Sequence, residues 1–364
     1  MMFTALRSAS DRFFGHGASA ITVPTLDGAF RPNNLLDQAA GLVRHPGIDN
    51  VVATGEGVLV SSGAALHRLS DDFSVADAIA GFRSPISCVA ASPGGQIAVG
   101  LESGEVMLLT PGSPSSPQLL STFKCPVALA FSKEDRLVVA NGSENFAAPD
   151  WKRDFMARTP SGSLQVIALP ALSVRTIASG LGFPWGLAVS DDGRIVFSEA
   201  WGYGISSIGI DGGKPSVLIG DLPGYPMRIA RAANGHHFVS FICVRRQLTE
   251  FVLSEKEFRE RMTTQIDPAF WIGPTFVSGR SFREPMQQGS LKALNIIKPW
   301  APTQSYGLVA EFDAGFTPLR SFQSRADGRR HGISALACHG ADLLLVSRAC
   351  DEVLQIPAIT EPKS

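Results

Sequence analysis

The chain has 364 residues, 45% of them hydrophobic and 18% charged, a composition that can fill a sizeable core and excludes an intrinsically disordered protein. Lysine and arginine number 32 against 33 aspartates and glutamates, and the resulting net charge of -1 gives no electrostatic basis for binding nucleic acid or an anionic membrane surface. The 36 glycines and 24 prolines favour many short strands joined by turns over long helices.

The first residues, MMFTALRSASDRFFGHG, lack the continuous apolar stretch of a secretory signal. No run of about 18 apolar residues occurs, so no transmembrane helix is expected. The five cysteines are odd in number and include no CxxC pair, which favours reduced thiols over a disulfide framework. We therefore expect a cytoplasmic protein that does not associate with membranes.

A short repeat recurs along the chain from about residue 43. Each copy joins two apolar strands through a turn, and the clearest is FPWGLAVSDDGRIVFSEA at 183–200, where Asp-Asp-Gly indicates a hairpin. Counting back from the LLLVS strand of the last copy places its variable position at His331 or at Ile333. The equivalent variable positions of the six copies are Asp49, Ser87, Val127, Trp185, Met227 and His331.

The spacing of these positions indicates the architecture. The separations are 38, 40, 58, 42 and 104 residues, and a period near 40 is typical of a four-stranded propeller blade. We predict an all-β protein, a six-bladed β-propeller over residues 43–364. A seventh blade within the 104-residue interval is the competing count.

The two long intervals require insertions. The segment LTEFVLSEKEFRERMTTQ, at 248–265, is the one convincing helical stretch, and it predicts a helical insertion between blades five and six. Residues 1–42 are predicted to form an N-terminal segment. Within it, ASAITVPTL is expected to supply the outermost strand of the last blade and to close the ring.

Propeller geometry places the variable positions around one mouth of the central channel, a usual site for ligands. His331 is the candidate general base, because an imidazole titrates near neutral pH. Asp49 is its candidate partner, since the first and last blades are neighbours in a closed ring. The alternatives are that His331 only bonds a neighbouring blade and that Asp49 only bonds backbone N–H groups. The candidate substrate-binding positions are Trp185, Met227, Ser87 and Val127.

Several motifs resemble the strictosidine synthase-like family of six-bladed propellers. They are TPSGSL, GLGFPWGLAVSDDG, FSEAWGYGI and DLPGYPMRIARAANG, in that order within residues 158–241. A later match is SYGLVAEFDAGFTPLRSFQSRADG. The resemblance covers most of the chain after about Val43 and implies an enzyme that acts on a small organic molecule in the channel.

The wider superfamily includes paraoxonase-like and gluconolactonase-like hydrolases, for which the resemblance implies a catalytic calcium ion. The matching positions here are Asp49, Val127, Trp185 and Met227. Only Asp49 offers a side-chain oxygen, whereas calcium takes six to eight oxygen ligands. We therefore predict no metal and no other cofactor.

Plant strictosidine synthase also works without a metal; it condenses an amine with an aldehyde and uses a glutamate in its last blade. The matching segment here, His331 to Ser334, contains no carboxylate, which argues against that condensation. The resemblance implies a metal-independent hydrolase of esters or lactones, or a lyase-type enzyme. The alternative is a non-catalytic propeller that binds small molecules or serves as a scaffold.

Overall fold

The computed structural model describes residues 23–111, 116–169, 171–281, 283–285 and 304–357. Its strands form six antiparallel sheets of four strands each. The innermost strands of the six sheets contact one another in a closed cycle. The predicted six-bladed β-propeller is therefore confirmed, and the described part of the 104-residue interval contains no seventh blade.

The blades follow one another along the chain, each running outwards from the channel. Blade one contains β2 (Ile48–Thr54), β3 (Gly57–Ser62), β4 (Ala65–Leu69) and β5 (Val75–Gly81). Blade two contains β6 (Ile86–Ala91), β7 (Ile97–Leu101), β8 (Glu105–Leu109) and β9 (Gln118–Thr122). Blade three contains β10 (Pro126–Lys133), β11 (Arg136–Asn141), β12 (Gly162–Ala168) and β13 (Ser173–Leu181).

The remaining three blades complete the ring. Blade four contains β14 (Pro184–Val189), β15 (Ile195–Glu199), β16 (Gly204–Ile208) and β17 (Ser216–Ile219). Blade five contains β18 (Gly224–Arg231), β19 (His237–Val244), β20 (Gly307–Phe312) and β21 (Pro318–Ser324). Blade six contains β22 (Ile333–His339), β23 (Asp342–Ser347), β24 (Glu352–Pro357) and, on the outside, β1 (Ala40–Arg44).

All six inner strands share one irregularity near their start. In blade one, Ile48 pairs with Ser62 and Val51 pairs with Val60. Between these two pairs the inner strand contains one more residue than its partner strand. The same shift recurs in the other five blades. Such a bulge leaves an extra residue outside the hydrogen-bonded ladder. The shared register therefore defines equivalent positions in all six blades.

This register tests the predicted ring. Five of the six predicted positions occupy the equivalent place, directly after the paired residue at which the bulge begins. The sixth place belongs to Ser334, so His331 and the alternative Ile333 were both wrong for it. The cause is Gly332, whose φ of 63° turns the chain before β22 begins. A Cβ on Gly332 would lie 2.4 Å from the Phe276 carbonyl oxygen, so only glycine fits there.

The ring is closed by an N-terminal strand, but not by the predicted one. β1 (Ala40–Arg44) pairs with β24 and covers the edge of blade six. In the segment ASAITVPTL, residues 18–22 lie outside the described residues and residues 23–26 are not in a strand. The strand that closes the ring leads almost directly into β2, and Leu42 and Val43 pack against the apolar contact between blades six and one. The predicted boundary between residues 42 and 43 falls inside β1.

A buried arginine ties the N-terminal segment to this closure. Arg330 lies before blade six and donates from Nε to Glu352 Oε2 at 3.1 Å. Its Nη1 donates to the Leu36 carbonyl oxygen at 2.8 Å and to that of Ala39 at 2.5 Å. These carbonyls belong to helix α1 (Leu35–Gln38) and the residue after it. The guanidinium thus joins α1, the approach to β1 and β24.

The insertions carry the longer helices. Helix α2 (Trp151–Ala157), which the sequence did not predict, lies between β11 and β12. Helices α3 (Gln247–Ser254) and α4 (Lys256–Gln265) form the predicted helical insertion. The insertion joins β19 to β20 and so lies within blade five, rather than between blades five and six. The expected single helix is two, because Glu255 adopts an extended conformation with ψ of 90°. No helix in the described part of the chain is long and apolar enough to cross a membrane.

We expect Arg330→Met to lower the free energy of unfolding by about 3–5 kcal/mol, because it removes the buried ion-pair partner of Glu352 and the donor of two carbonyl oxygens, and leaves Glu352 only the exposed Arg44. Urea denaturation measures the change. Arg329→Met, at the exposed neighbouring position, is the matched control and should change stability by well under about 1 kcal/mol. Equal effects of the two substitutions would contradict the assigned role of Arg330.

Candidate functional site

Both insertions cover the mouth at which the inner strands begin. β11 and β19 end beside the starts of β10 and β18, so the chain that follows each of them lies on this face. Trp151 of α2 and Phe276, beyond α4, both pack on Trp185 of the ring, with ring centroids 5.5 and 6.2 Å away. Trp151 and Phe276 are 5.6 Å apart. We call Trp151, Trp185 and Phe276 the aromatic wall, and all three side chains are buried.

A charged cluster lies beside the aromatic wall. Arg348 Nε is 3.5 Å from Asp49 Oδ1, and both side chains reach solvent, with 41% and 26% of their surfaces exposed. The Arg348 guanidinium carbon also lies 4.6 Å from the centre of the Phe276 ring. The cluster and the wall are therefore in direct contact through Arg348.

Glu102 completes this cluster. Burial raises the pKa of Glu102, and the negative charge of Asp49 raises it further, while Arg348 opposes the shift. The Asp49 cluster, as we name Asp49, Glu102 and Arg348, thus holds two carboxyl groups in different environments. Such pairs are typical of acid–base sites, since one group keeps a proton more readily than the other.

The blade register explains how these three residues meet. Glu102 and Arg348 occupy the same blade position, one residue after the end of β7 and of β23. Their backbone N–H groups make equivalent bonds to the carbonyls of Pro85 and Gly332, at 2.9 and 3.1 Å. Blades two and six flank blade one, so both side chains approach Asp49. Extending the repeat alignment to the second strand of each copy would have found them.

His331 does not join Asp49. It is 7% exposed and its Nδ1 lies 2.9 Å from Ser305 Oγ, while its Nε2 lies 2.7 Å from the Arg325 carbonyl oxygen. Burial lowers the pKa of His331, which favours the neutral ring. Both nitrogens are engaged between blades five and six, so the geometry does not support the predicted His331–Asp49 pair.

The other predicted ring residues are mostly buried and apolar. Val127 and Met227 are 3% and 1% exposed. Ser87 is partly exposed, and its Oγ donates to the Pro126 carbonyl oxygen at 2.6 Å. Trp185 belongs to the aromatic wall. Contact of these four residues with a substrate stays a prediction.

The ring does not fit a calcium ion at the positions that the sequence resemblance implies. Val127, Trp185 and Met227 present apolar side chains there. The adjacent Arg228 instead sends a guanidinium into the channel, where Nη2 donates to the Ser87 carbonyl oxygen at 2.8 Å. A fixed positive charge beside neutral oxygens disfavours a divalent cation. Among the described residues, no group of three or more His, Cys, Asp or Glu side chains is arranged to hold a metal.

A separate cavity of about 180 Å³ lies beside blade four, and Arg158, Glu199 and Trp201 contribute to its walls. Glu199 Oε2 accepts a bond from the Gly182 N–H at 2.9 Å, and Trp201 Nε1 donates to Asp154 Oδ1 at 2.8 Å. These bonds hold the walls in place. None of the six ring residues lines this cavity, so it is distinct from the Asp49 cluster.

Comparison with known proteins supports the resemblance found in the sequence. No family model matches the chain. The chain is 28% identical over 119 residues to Protein STRICTOSIDINE SYNTHASE-LIKE 6 of Arabidopsis thaliana, a match that spans 32% of this chain and 32% of the plant protein. The alignment thus covers about a third of that relative's length.

Solved structures share the fold. One, a protein provisionally assigned as a gluconolactonase, aligns with a TM-score of 0.53 at 11% identity, over 88% of this chain and 91% of that one. Virginiamycin B lyase from Staphylococcus aureus aligns with a TM-score of 0.50 at 10% identity, over 86% and 80%. A nidogen/laminin complex gives 0.51 at 10% identity, over 82% and 88%. At these identities the likeness shows the propeller fold alone.

We expect a chelator to leave the melting temperature of the purified protein unchanged, because Val127, Trp185 and Met227 offer no ligand oxygen to calcium. Differential scanning fluorimetry with and without the chelator measures this. A fall of several degrees, reversed by added calcium, would contradict the prediction.

The raised pKa of Glu102 predicts a pH-dependent effect of Glu102→Gln. The folded protein holds this proton more tightly than the unfolded chain, so ionisation of Glu102 destabilises the fold as pH rises through its folded-state pKa. The variant should therefore gain melting temperature relative to the wild type at neutral pH, and the gain should vanish below about pH 4. Glu105→Gln, on the adjoining strand β8, controls for removal of a charge. A gain that is equal at acid and neutral pH would show that the carboxyl group is not the cause.

Proposed function

We propose that this protein is an enzyme that hydrolyses an ester or lactone of a small organic molecule at the channel mouth. The observation that carries the proposal is the Asp49 cluster, in which an ion-paired carboxylate and a carboxyl group of raised pKa lie beside a guanidinium. The cluster reaches solvent on one side and touches the aromatic wall on the other. A polar reacting group and an apolar body of one substrate would find partners there.

Asp49 serves as general base in this proposal. Arg348 orients it through their ion pair, so that it takes a proton from a water molecule as the water oxygen bonds to the acyl carbon. Negative charge then develops on the carbonyl oxygen. The Nη groups of Arg348, which are not used in the Nε contact with Asp49, are the donors available to stabilise that charge.

Glu102 serves as general acid. Its raised pKa keeps a larger fraction protonated near neutral pH than an exposed glutamate would have. As the bond from the acyl carbon to the alcohol oxygen breaks, that oxygen takes the Glu102 proton. The products are a carboxylic acid and an alcohol, or one hydroxy acid from a lactone. Transfer of the proton from Asp49 back to Glu102 through solvent restores the starting state.

The runner-up is a lyase-type reaction at the same site, in which Asp49 takes a proton from carbon and Glu102 protonates the leaving oxygen. A lyase and a gluconolactonase-type protein both occur among the structures of this fold. The non-catalytic alternative is a binding or scaffold propeller, and the fold is also present in a nidogen/laminin complex. The fold does not choose among these functions, so the choice rests on the cluster.

A screen of aryl esters, lactones and amine–aldehyde pairs tests the reaction class. With the best ester or lactone, Asp49→Asn and Glu102→Gln should each lower kcat/KM about a hundredfold or more, because each removes one proton-transfer group. Glu105→Gln, with the same chemical change outside the cluster, should retain wild-type kcat/KM.

Folded Glu102→Gln and Asp49→Asn proteins with full turnover would contradict the proposal. So would loss of turnover in a folded His331→Ala protein while the cluster variants stay active, because that result would return the chemistry to His331. Turnover of only the amine–aldehyde pairs would replace hydrolysis by a condensation.

A further inference from the structure

The bulges of the six inner strands create a problem at the centre of the channel. At each bulge one residue lies outside the ladder, so its carbonyl oxygen has no partner in its own sheet. A buried carbonyl without a donor destabilises the fold. In five of the six blades a side chain supplies the missing donor.

Two of these carbonyls are satisfied by serines of the neighbouring blade. Ser334 Oγ donates to the Asp49 carbonyl oxygen at 2.7 Å, and Ser198 Oγ donates to that of Met227 at 2.7 Å. These bonds join blade six to blade one and blade four to blade five. They leave other ring carbonyls that no serine reaches.

Arg228 satisfies three more. Its Nη2 donates to the Ser87 carbonyl oxygen at 2.8 Å, its Nε to that of Ser334 at 3.2 Å, and its Nη1 to that of Val127. Nη2 also lies 3.3 Å from Asn50 Oδ1. From blade five, one guanidinium thus contacts blades one, two, three and six.

The surrounding residues are fitted to this side chain. The Asn50 amide is oriented, because its Nδ2 donates to Ser61 Oγ at 2.9 Å and leaves Oδ1 for Arg228. In the other blades the positions equivalent to Arg228 carry side chains too short to fill the centre of the channel. Those residues are Asn50, Cys88, Ala128, Gly186 and Ala335.

We propose that these oxygens form a cation site at the centre of the propeller, selective for a planar guanidinium, which the chain fills with its own Arg228. A guanidinium presents its donors as a fork and can serve several oxygens in different directions at once. Three carbonyls and one amide oxygen provide no negative charge and fewer ligands than calcium requires. The site therefore holds blades one, two, three and six to blade five through a covalently attached cation.

Chemical rescue of Arg228→Ala tests this proposal independently of any enzymatic activity. The variant should melt at least about 5 °C below the wild type, because three buried carbonyls lose their donor. Millimolar guanidinium chloride should raise its melting temperature, since the free ion can enter the vacated site. Urea, tetramethylammonium chloride and calcium chloride at the same concentrations should not.

Two controls separate this effect from general ones. The wild type, whose site is filled, should gain nothing from guanidinium. Arg194→Ala should also gain nothing, because Arg194 donates only to Ser207, within blade four, at 3.2–3.3 Å. Arg228→Lys keeps the charge without the fork and should melt between the wild type and Arg228→Ala.

An unchanged melting temperature in Arg228→Ala would overturn the proposal. Restoration by calcium as effective as that by guanidinium would overturn the selectivity, and equal rescue of Arg194→Ala would show a non-specific effect. If Arg228→Ala does not fold, soluble protein should appear only when guanidinium is present during refolding. Arg228→Lys at the wild-type melting temperature would exclude the role of the fork.

Discussion

The structure depends on how the channel satisfies the carbonyl oxygens that its own bulges expose. Antiparallel sheets satisfy their backbone groups within the sheet, but the shared bulge interrupts this at the place where six blades converge. The bonds that repair the interruption run between blades rather than within them. Ser334 and Ser198 each join two neighbouring blades, and Arg228 joins blades that are not neighbours. The same contacts that satisfy the backbone thus fix the positions of the blades around the axis.

The Asp49 cluster is a consequence of that fixed arrangement. Asp49 begins blade one, and the positions of Glu102 and Arg348 are equivalent places in the two blades that flank it. No segment of sequence brings these residues together; only closure of the ring does. The insertions within blades three and five then place aromatic side chains over the same mouth, so that Phe276 contacts Arg348. The repeated blades thus supply the charged groups of the site, and the two insertions supply apolar groups beside them.

The sequence predicted the features that depend on local periodicity. Blade number and five ring positions follow from a repeat near 40 residues, because each hairpin carries its own alternation and turn. The ring position of His331 failed, since Gly332 turns the chain just before β22 and no periodic pattern reports a positive φ. The strand that closes the ring is β1 rather than the predicted segment ASAITVPTL, because strand propensity alone does not identify which segment lies within reach of the open edge. The sequence analysis missed Glu102 and Arg348, because these residues lie near Asp49 only after the blades that carry them have assembled around blade one.

Closure by β1 also affects the order in which the protein folds. β1 is synthesised before all the other described strands, whereas its partner β24 is the last of them, about 310 residues later. During translation β1 therefore leaves the ribosome well before β24 and has no edge to pair with until β22, β23 and β24 have formed. Blades one to five can form from consecutive residues as they appear, whereas blade six cannot form before β24 has been synthesised. The last step of folding therefore joins β1 to β24, and a nascent chain that has not yet reached β24 cannot take it.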